Sequence, residues 1–359
     1  MPLFGRQAPT PSDVPAQLRR ALQLVLSADL EGAEEALSEA GRLDSSSADI
    51  YLALANLYRA RGEIGRAIQL HQNLLLRPDL DEAMRREALL GLALDFRAGG
   101  FLQRALSSFE ELLEVKPHHT RALREIEKIR VETGDWEEAI LIRKRIGSDA
   151  PNTGSVLAHL HVGLARSKRG DNDPAAVRRL LKKALSHDRR CAEAHIELGD
   201  ERLAQGKPHQ AIALWLRALP LHEGVRNLLL PKLFDAYDAT QNREGFDRLL
   251  YERLEANPDD HEAGIWLARS LTRQGQTEEA QLRLRRLLDR SGGYLPAYVE
   301  LARAYLAEPS QREAVKLLEE MLNHLPSSQP KFRCSNCGTQ DSELHWRCPQ
   351  CGEWDSSRA

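Results

Sequence analysis

Long apolar runs, an excess charge of one sign, aromatic side chains and dispersed cysteines are all scarce in this sequence. No stretch of about 18 apolar residues occurs, so the sequence predicts no transmembrane helix. The segment Leu22 to Leu30 is short and interrupted, and it lacks the charged flank and cleavage site of a secretory signal, which points to the cytoplasm. A formal net charge of −3, from 50 basic and 53 acidic residues, leaves no basic field for nucleic acid or an anionic membrane surface. Aromatics make up only 5% of the chain, which suits thin helical layers rather than one large core. A single core for 359 residues would be unusual in any case. Nucleophile elbow, H-E-x-x-H helix and P-loop are all missing, so no enzyme is expected.

What is present is a repeat. Leu89, Leu92, Ala93 and Phe96 share one helical face, Gly99 and Gly100 break that helix, and Ala105, Phe109 and Leu112 give a second face that Pro117 ends. Ala93 and Ala105 stand where two helices of a hairpin must approach closely. The small residue of the second helix recurs at Ala33, Ala67, Ala105, Ala139, Ala211, Ala280 and Ala314, with Val177 and Phe246 in the same slot. The successive spacings are 34, 38, 34, 38, 34, 35, 34 and 34. A turn glycine precedes the second helix at Gly62, Gly100, Gly134, Gly206 and Gly275. This is the tetratricopeptide pattern, in about nine units. The two longer spacings predict four extra residues in connecting turns, near Asp79 to Met84 and near either Asn152 to Ser155 or Asp171 to Pro174.

The expected organisation is a flexible leader over 1–13, repeats over 14–326, a Pro/Ser linker over 327–331 and a distinct module over 332–359. Each repeat packs only on its neighbours, which releases a solenoid from the size limit of a single core. One copy is weaker: Pro231 lies within its first helix, and Gln241 stands where a turn glycine is usual. A proline there predicts a kink.

The last segment, FRCSNCGTQDSELHWRCPQCGEWDSSRA, holds four of the five cysteines. Cys334, Cys337, Cys348 and Cys351 form two C-x2-C pairs, each followed by a glycine, Gly338 and Gly352. Each C-x2-C-G turn directs backbone amides at its thiolates, and two facing turns set four sulfurs at the corners of a tetrahedron. So short a segment has no core to hold it, and a metal supplies what the core lacks. Two disulfides would need an oxidising compartment, and a redox pair would need a βαβ setting; neither context is present. A closed four-thiolate site for one ion is the reading left, with zinc and iron both suited to tetrahedral sulfur.

Together the hairpins and the ending FRCSNCG…LHWRCPQCGEWDS, with Trp346 before the second turn and Trp354 after it, resemble the lipopolysaccharide assembly protein B family. The resemblance implies an all-α tetratricopeptide-repeat superhelical solenoid with a C-terminal rubredoxin-like or zinc-ribbon knuckle packed back onto the repeats. It implies metal at the four cysteines. It further implies a non-enzymatic adaptor at the bacterial inner membrane, which presents the lipid A deacetylase to a membrane AAA+ protease. Members of that family begin with a membrane anchor, whereas this chain begins MPLFGRQAPTPSDVP. The expected location is therefore cytoplasmic, peripheral to the inner membrane.

The expected partner is a client protein or peptide in the concave groove lined by first helices. Tyr51, Asn56, Arg124, Lys128, His195 and Arg202 are the candidate groove residues. Self-association stays open. Two other classes stay open as well: a generic soluble chaperone-like adaptor, and a rubredoxin-type iron electron carrier. Bland roles are expected elsewhere. His118 and His119 read as exposed turn residues, and Cys191 as a small residue at a repeat boundary. His159 and His161 face different ways on one helix, and His345 is superfluous beside four thiolates. Trp136 and Trp215 read as packing residues. The run Leu282 to Arg290 reads as a solvated helix back, with a patch for an acidic partner as the sharper alternative.

Overall fold

The computed structural model describes residues 14–147, 150–171, 173–291, 294–306 and 332–358, with isolated positions between 313 and 321. The proposed leader and linker, and Ala314, lie outside the described residues. The chain divides into two compact units at the junction between Pro151 and Asn152.

Among the described residues the first unit holds four helical hairpins: α1 (Val14–Leu26) with α2 (Leu30–Leu43), α3 (Ala48–Ala60) with α4 (Ile64–Leu75), α5 (Glu82–Ala98) with α6 (Leu102–Val115), and α7 (Thr120–Glu132) with α8 (Trp136–Ile146). The second unit continues with α9 (Thr153–Ser167) and α10 (Pro174–His187), α11 (Ala192–Ala204) and α12 (Pro208–Ala218), α13 (Arg226–Ala239) and α14 (Arg243–Ala256), and α15 (His261–Arg273) and α16 (Thr277–Ser291). Helix α17 (Leu295–Leu306) opens a further hairpin, and the described positions from 313 to 321 are helical. The fold is all-α apart from the C-terminal module.

The repeat slots behave as the spacing predicts. Ala33, Ala67, Ala105, Ala139, Val177, Ala211, Phe246 and Ala280 are each no more than 1% exposed. Phe246 packs against α13, its ring 5.5 Å from that of Phe234 and 5.8 Å from that of Tyr237. The turn glycines sit at φ between +68° and +80°, where a side chain is strained. Gln241 takes the same left-handed position at φ +55°. Pro231 lies inside α13, which a 3-10 turn, Glu223–Val225, introduces.

The first long spacing corrects the turn expectation. Its extra residues lengthen α5, at 17 residues against 13 in α3, α7 and α11. The segment after Asp81 is rich in good helix formers, and the Asp81 carboxylate caps it by accepting from the Met84 amide at 2.7 Å. In the second case the stretch between α9 and α10, from Lys168 to Asp173, is longer than the turns at Gly62 and Gly100.

In the C-terminal module, β1 (Phe332–Cys334) lies between β2 (Gln340–Asp341) and β3 (Ser357–Arg358). Both pairings are antiparallel, with Arg333 opposite Gln340 on one side and Arg358 on the other.

Candidate metal centre and its docking joint

The two cysteine turns share one local design. The Gly338 amide donates to the Cys334 carbonyl at 2.9 Å, and the Gly352 amide to the Cys348 carbonyl at 2.9 Å. The Cys334 amide donates to Thr339, and that of Cys348 to Glu353, each at 2.8 Å. Gly338 and Gly352 take φ +77° and +72°, so each chain reversal needs a residue without Cβ. The repeated bonds bring the pairs face to face.

All four sulfurs lie within 4.8 Å of one another. Cys334 and Cys351 are 3.7 Å apart at Sγ, as are Cys337 and Cys348. A disulfide needs about 2.05 Å, so these are not disulfides. Four sulfurs at about 2.3 Å from one tetrahedral ion stand about 3.8 Å apart along each edge, which these distances fit. The Ser356 hydroxyl and the knuckle amides hold the Cys334 thiol down at about 6, which favours the ligating thiolate. Burial pushes Cys348 the other way, to about 11. His345 pairs with Asp341 at 3.0 Å.

The module is docked on the second unit's repeats. Asp355 projects from the loop after Cys351 and accepts from Ser155 at 3.1 Å and from His159 Nε2 at 2.9 Å. His159 Nδ1 lies 2.5 Å from Glu193 Oε2, and Glu193 also pairs with Arg166 at 2.7 Å. Burial works against the imidazolium, but the hydrogen bonds to Asp355 and Glu193 prevail and raise His159 to about 9. His159 is therefore charged, with both ring nitrogens donating. Trp354 stacks on it at 5.0 Å and 15°, and Trp346 lies at 6.1 Å. Trp346 also meets the His222 ring edge-on at 5.5 Å. A Cβ on Gly224 would come within 2.9 Å of the Leu344 side chain and 3.1 Å of the Phe332 ring, so a larger residue there would make the module's side chains shift.

His159, Cys191 and Glu193 form a second group of donor atoms within 4.8 Å. Both nitrogens of His159 are already engaged, and burial first, then Glu193, push the Cys191 thiol far up. That group is a buried hydrogen-bonded ion cluster rather than a thiolate site.

The candidate groove residues separate. Tyr51, Asn56, Arg124 and Lys128 lie on α3 and α7 of the first unit, and Arg202 lies on α11 of the second. Asn56 and Arg124 are exposed, and Tyr51 is half-buried with Arg77 over its ring at 4.7 Å. His195 is corrected: it is 7% exposed and its Nε2 bonds the Arg189 carbonyl at 3.0 Å, so it faces the interior. His119 is the N-cap of α7, accepting from the Ala122 amide. Trp215 is fully buried, and Trp136 half-buried. His159, passed over as a chelator, is the residue on which the module rests.

Models of the tetratricopeptide repeat match residues 50–83 and residues 90–151, 162–224 and 254–330. The chain belongs to the tetratricopeptide-repeat family, a non-enzymatic protein-interaction family. A rubredoxin metal binding domain model matches residues 332–357. Among curated proteins, the chain is similar to lipopolysaccharide assembly protein B of Escherichia coli K12, at 26% identity over 87% of this chain and 80% of that one. The protein of that name from Haemophilus influenzae is 26% identical over 85% of this chain and 77% of that one. Among solved structures, a tetratricopeptide repeat protein from Parabacteroides merdae is 15% identical over 87% of this chain and 100% of that one, with a TM-score of 0.40. Among the described residues, no helix is long and apolar enough to cross a membrane.

Proposed function

We propose that this chain is an adaptor in the regulation of lipopolysaccharide assembly, presenting the lipid A deacetylase to a membrane AAA+ protease from a peripheral position at the inner membrane. The observation that carries the reading is the pairing of repeats and four-cysteine module in one chain, together with 26% identity to lipopolysaccharide assembly protein B over 87% of this sequence. Cys334, Cys337, Cys348 and Cys351 hold one zinc or iron ion, which when bound ties the two knuckles together. The chain's own residues do the rest: Trp354 and Asp355 carry the knuckle's order to His159 and so to the repeats. Tyr51, Asn56, Arg124, Lys128 and Arg202 belong to the first-helix faces that hold the client.

The test is affinity capture from the native cell followed by mass spectrometry, comparing the intact chain with one ending at Pro326. Enrichment of the deacetylase by the intact chain, and its loss from the shortened one, is the expected result. A capture that contains other clients but no deacetylase would leave a generic chaperone-like adaptor in its place.

A further inference from the structure

Helix α16 carries a cleft for which the joint between module and repeats has no use. Arg283, Arg286 and Arg290 fall at i, i+3 and i+7, on one face of the helix. That face walls a cleft of about 210 Å³, with Leu254, Leu267 and Leu287 among its lining and the turn from α14 to α15 opposite. The charges divide unevenly. Arg283 is engaged by Glu279 at 2.8 Å and lies over the Tyr251 ring at 5.0 Å. Asp260 is buried, with Arg253 at 2.7 Å and Arg226 at 3.9 Å. Arg286 and Arg290 are exposed, and among the described residues no carboxylate pairs with either. Asp259, exposed at the rim, is among the described residues the one lining acid outside an ion pair.

We propose that this cleft docks an acidic segment of a partner protein, with carboxylates on Arg286 and Arg290 and an apolar side chain against Leu254 and Leu287. The proposal rests on the reading that the repeats bind a protein client. One turn of α16 places the two arginines about 6 Å apart along the axis. Carboxylates two residues apart on an extended chain are separated by about 6.6 Å, a close match. Each guanidinium offers a planar fork that a carboxylate meets with two hydrogen bonds. A bare inorganic anion would satisfy the charge and leave the half-buried Leu254 and Leu287 uncovered. Nucleic acid would need a longer basic track than two unpaired arginines.

The test uses the full chain and a fluorescein-labelled peptide of Glu-Glu-Leu repeats, with a Gln-Gln-Leu peptide as its neutral counterpart. Fluorescence polarisation should show binding of the acidic peptide only, weakened by added salt. The double change Arg286→Glu and Arg290→Glu should weaken it about tenfold or more. The neutral pair Arg286→Gln and Arg290→Gln should weaken it by less, and circular dichroism should show both variants as helical as the parent. Equal affinity for the two peptides, or unchanged affinity in the charge-reversed chain, would overturn the proposal. Displacement of the peptide by inorganic phosphate at matched ionic strength would overturn it too, leaving a simple anion site. None of these results touches the adaptor reading, which fails only if the parent chain does not capture the deacetylase.

Discussion

Asp355 Oδ2 lies 2.9 Å from His159 Nε2, joining the C-terminal module to helix α9 across 196 residues of sequence. The opposite nitrogen of that imidazole lies 2.5 Å from Glu193, so one proton-bearing ring holds two carboxylates.

This joint gives docking a pH window. His159 is raised from its ordinary 6.5 to about 9, so its contribution is present in full below 6.5 and is lost as pH rises through about 9. Asp355 is desolvated, yet the His159 and Ser155 bonds hold its carboxyl below the ordinary range. Its contribution is present above the usual carboxylate pKa and is lost as pH falls through the lowered value. Emission from Trp346 and Trp354 should therefore shift on raising pH through about 9, and His159→Gln should abolish that transition. A His159→Gln chain with the parent's pH profile would refute the assignment.

Replacing Cys348 by Ser leaves three thiolates and a hydroxyl that stays protonated near neutral pH, so metal affinity should fall steeply. Elemental analysis should find one ion per parent chain and much less in the variant. Helicity should persist, because each repeat is held by its own neighbours. The Trp354 stack on His159 should loosen, since its loop is anchored through Cys351. Full metal occupancy in the variant would remove the four-thiolate site.

In the first unit, Asp95 is fully buried between His71 Nδ1 at 2.6 Å and Arg59 at 2.7 Å. Asp95→Ala strands both partners, and breaking a buried pair in this way costs about 3–5 kcal/mol. Urea unfolding monitored on the parent and the variant measures this directly. A loss under about 1 kcal/mol would mean that water reaches the site freely.

Gln241 occupies a position at φ +55° that five other repeats give to glycine. Strain for a side chain there is about 1–2 kcal/mol, partly offset by the extra unfolded-state freedom of glycine. Gln241→Gly should raise stability by about 0.5–1 kcal/mol on balance, read as an upward shift of the thermal midpoint. A lower midpoint would show that the Gln241 side chain makes a compensating contact.

The hairpins and the knuckle were legible because both are local. A helix period, a turn glycine and a small residue repeat within one unit of sequence, and four thiolates at C-x2-C spacing need only their own turns. The length of α5 was less legible: four inserted residues fit a turn as readily as a helix, and the Asp81 cap decided for the helix. His195 was misplaced because helical position alone does not say which face looks inward. The Glu193 partner of His159 had a faint signal. It lies 34 residues away, one repeat on, and other ion pairs join neighbouring first helices at similar separations: Arg166 with Glu197, Lys232 with Asp200, and Arg269 with Glu300.

Sequence by itself determined the repeat architecture, the all-α class and the facing pairs of cysteines, since each follows from chemistry within a few turns of chain. Tertiary structure alone decided that His159 is a charged joint, that Trp346 and Trp354 rest on it and His222, and that Arg286 and Arg290 wall a cleft. Those facts depend on which distant side chains share one small volume, and on whether a neighbour supplies the counter-charge that burial demands. No local period records either.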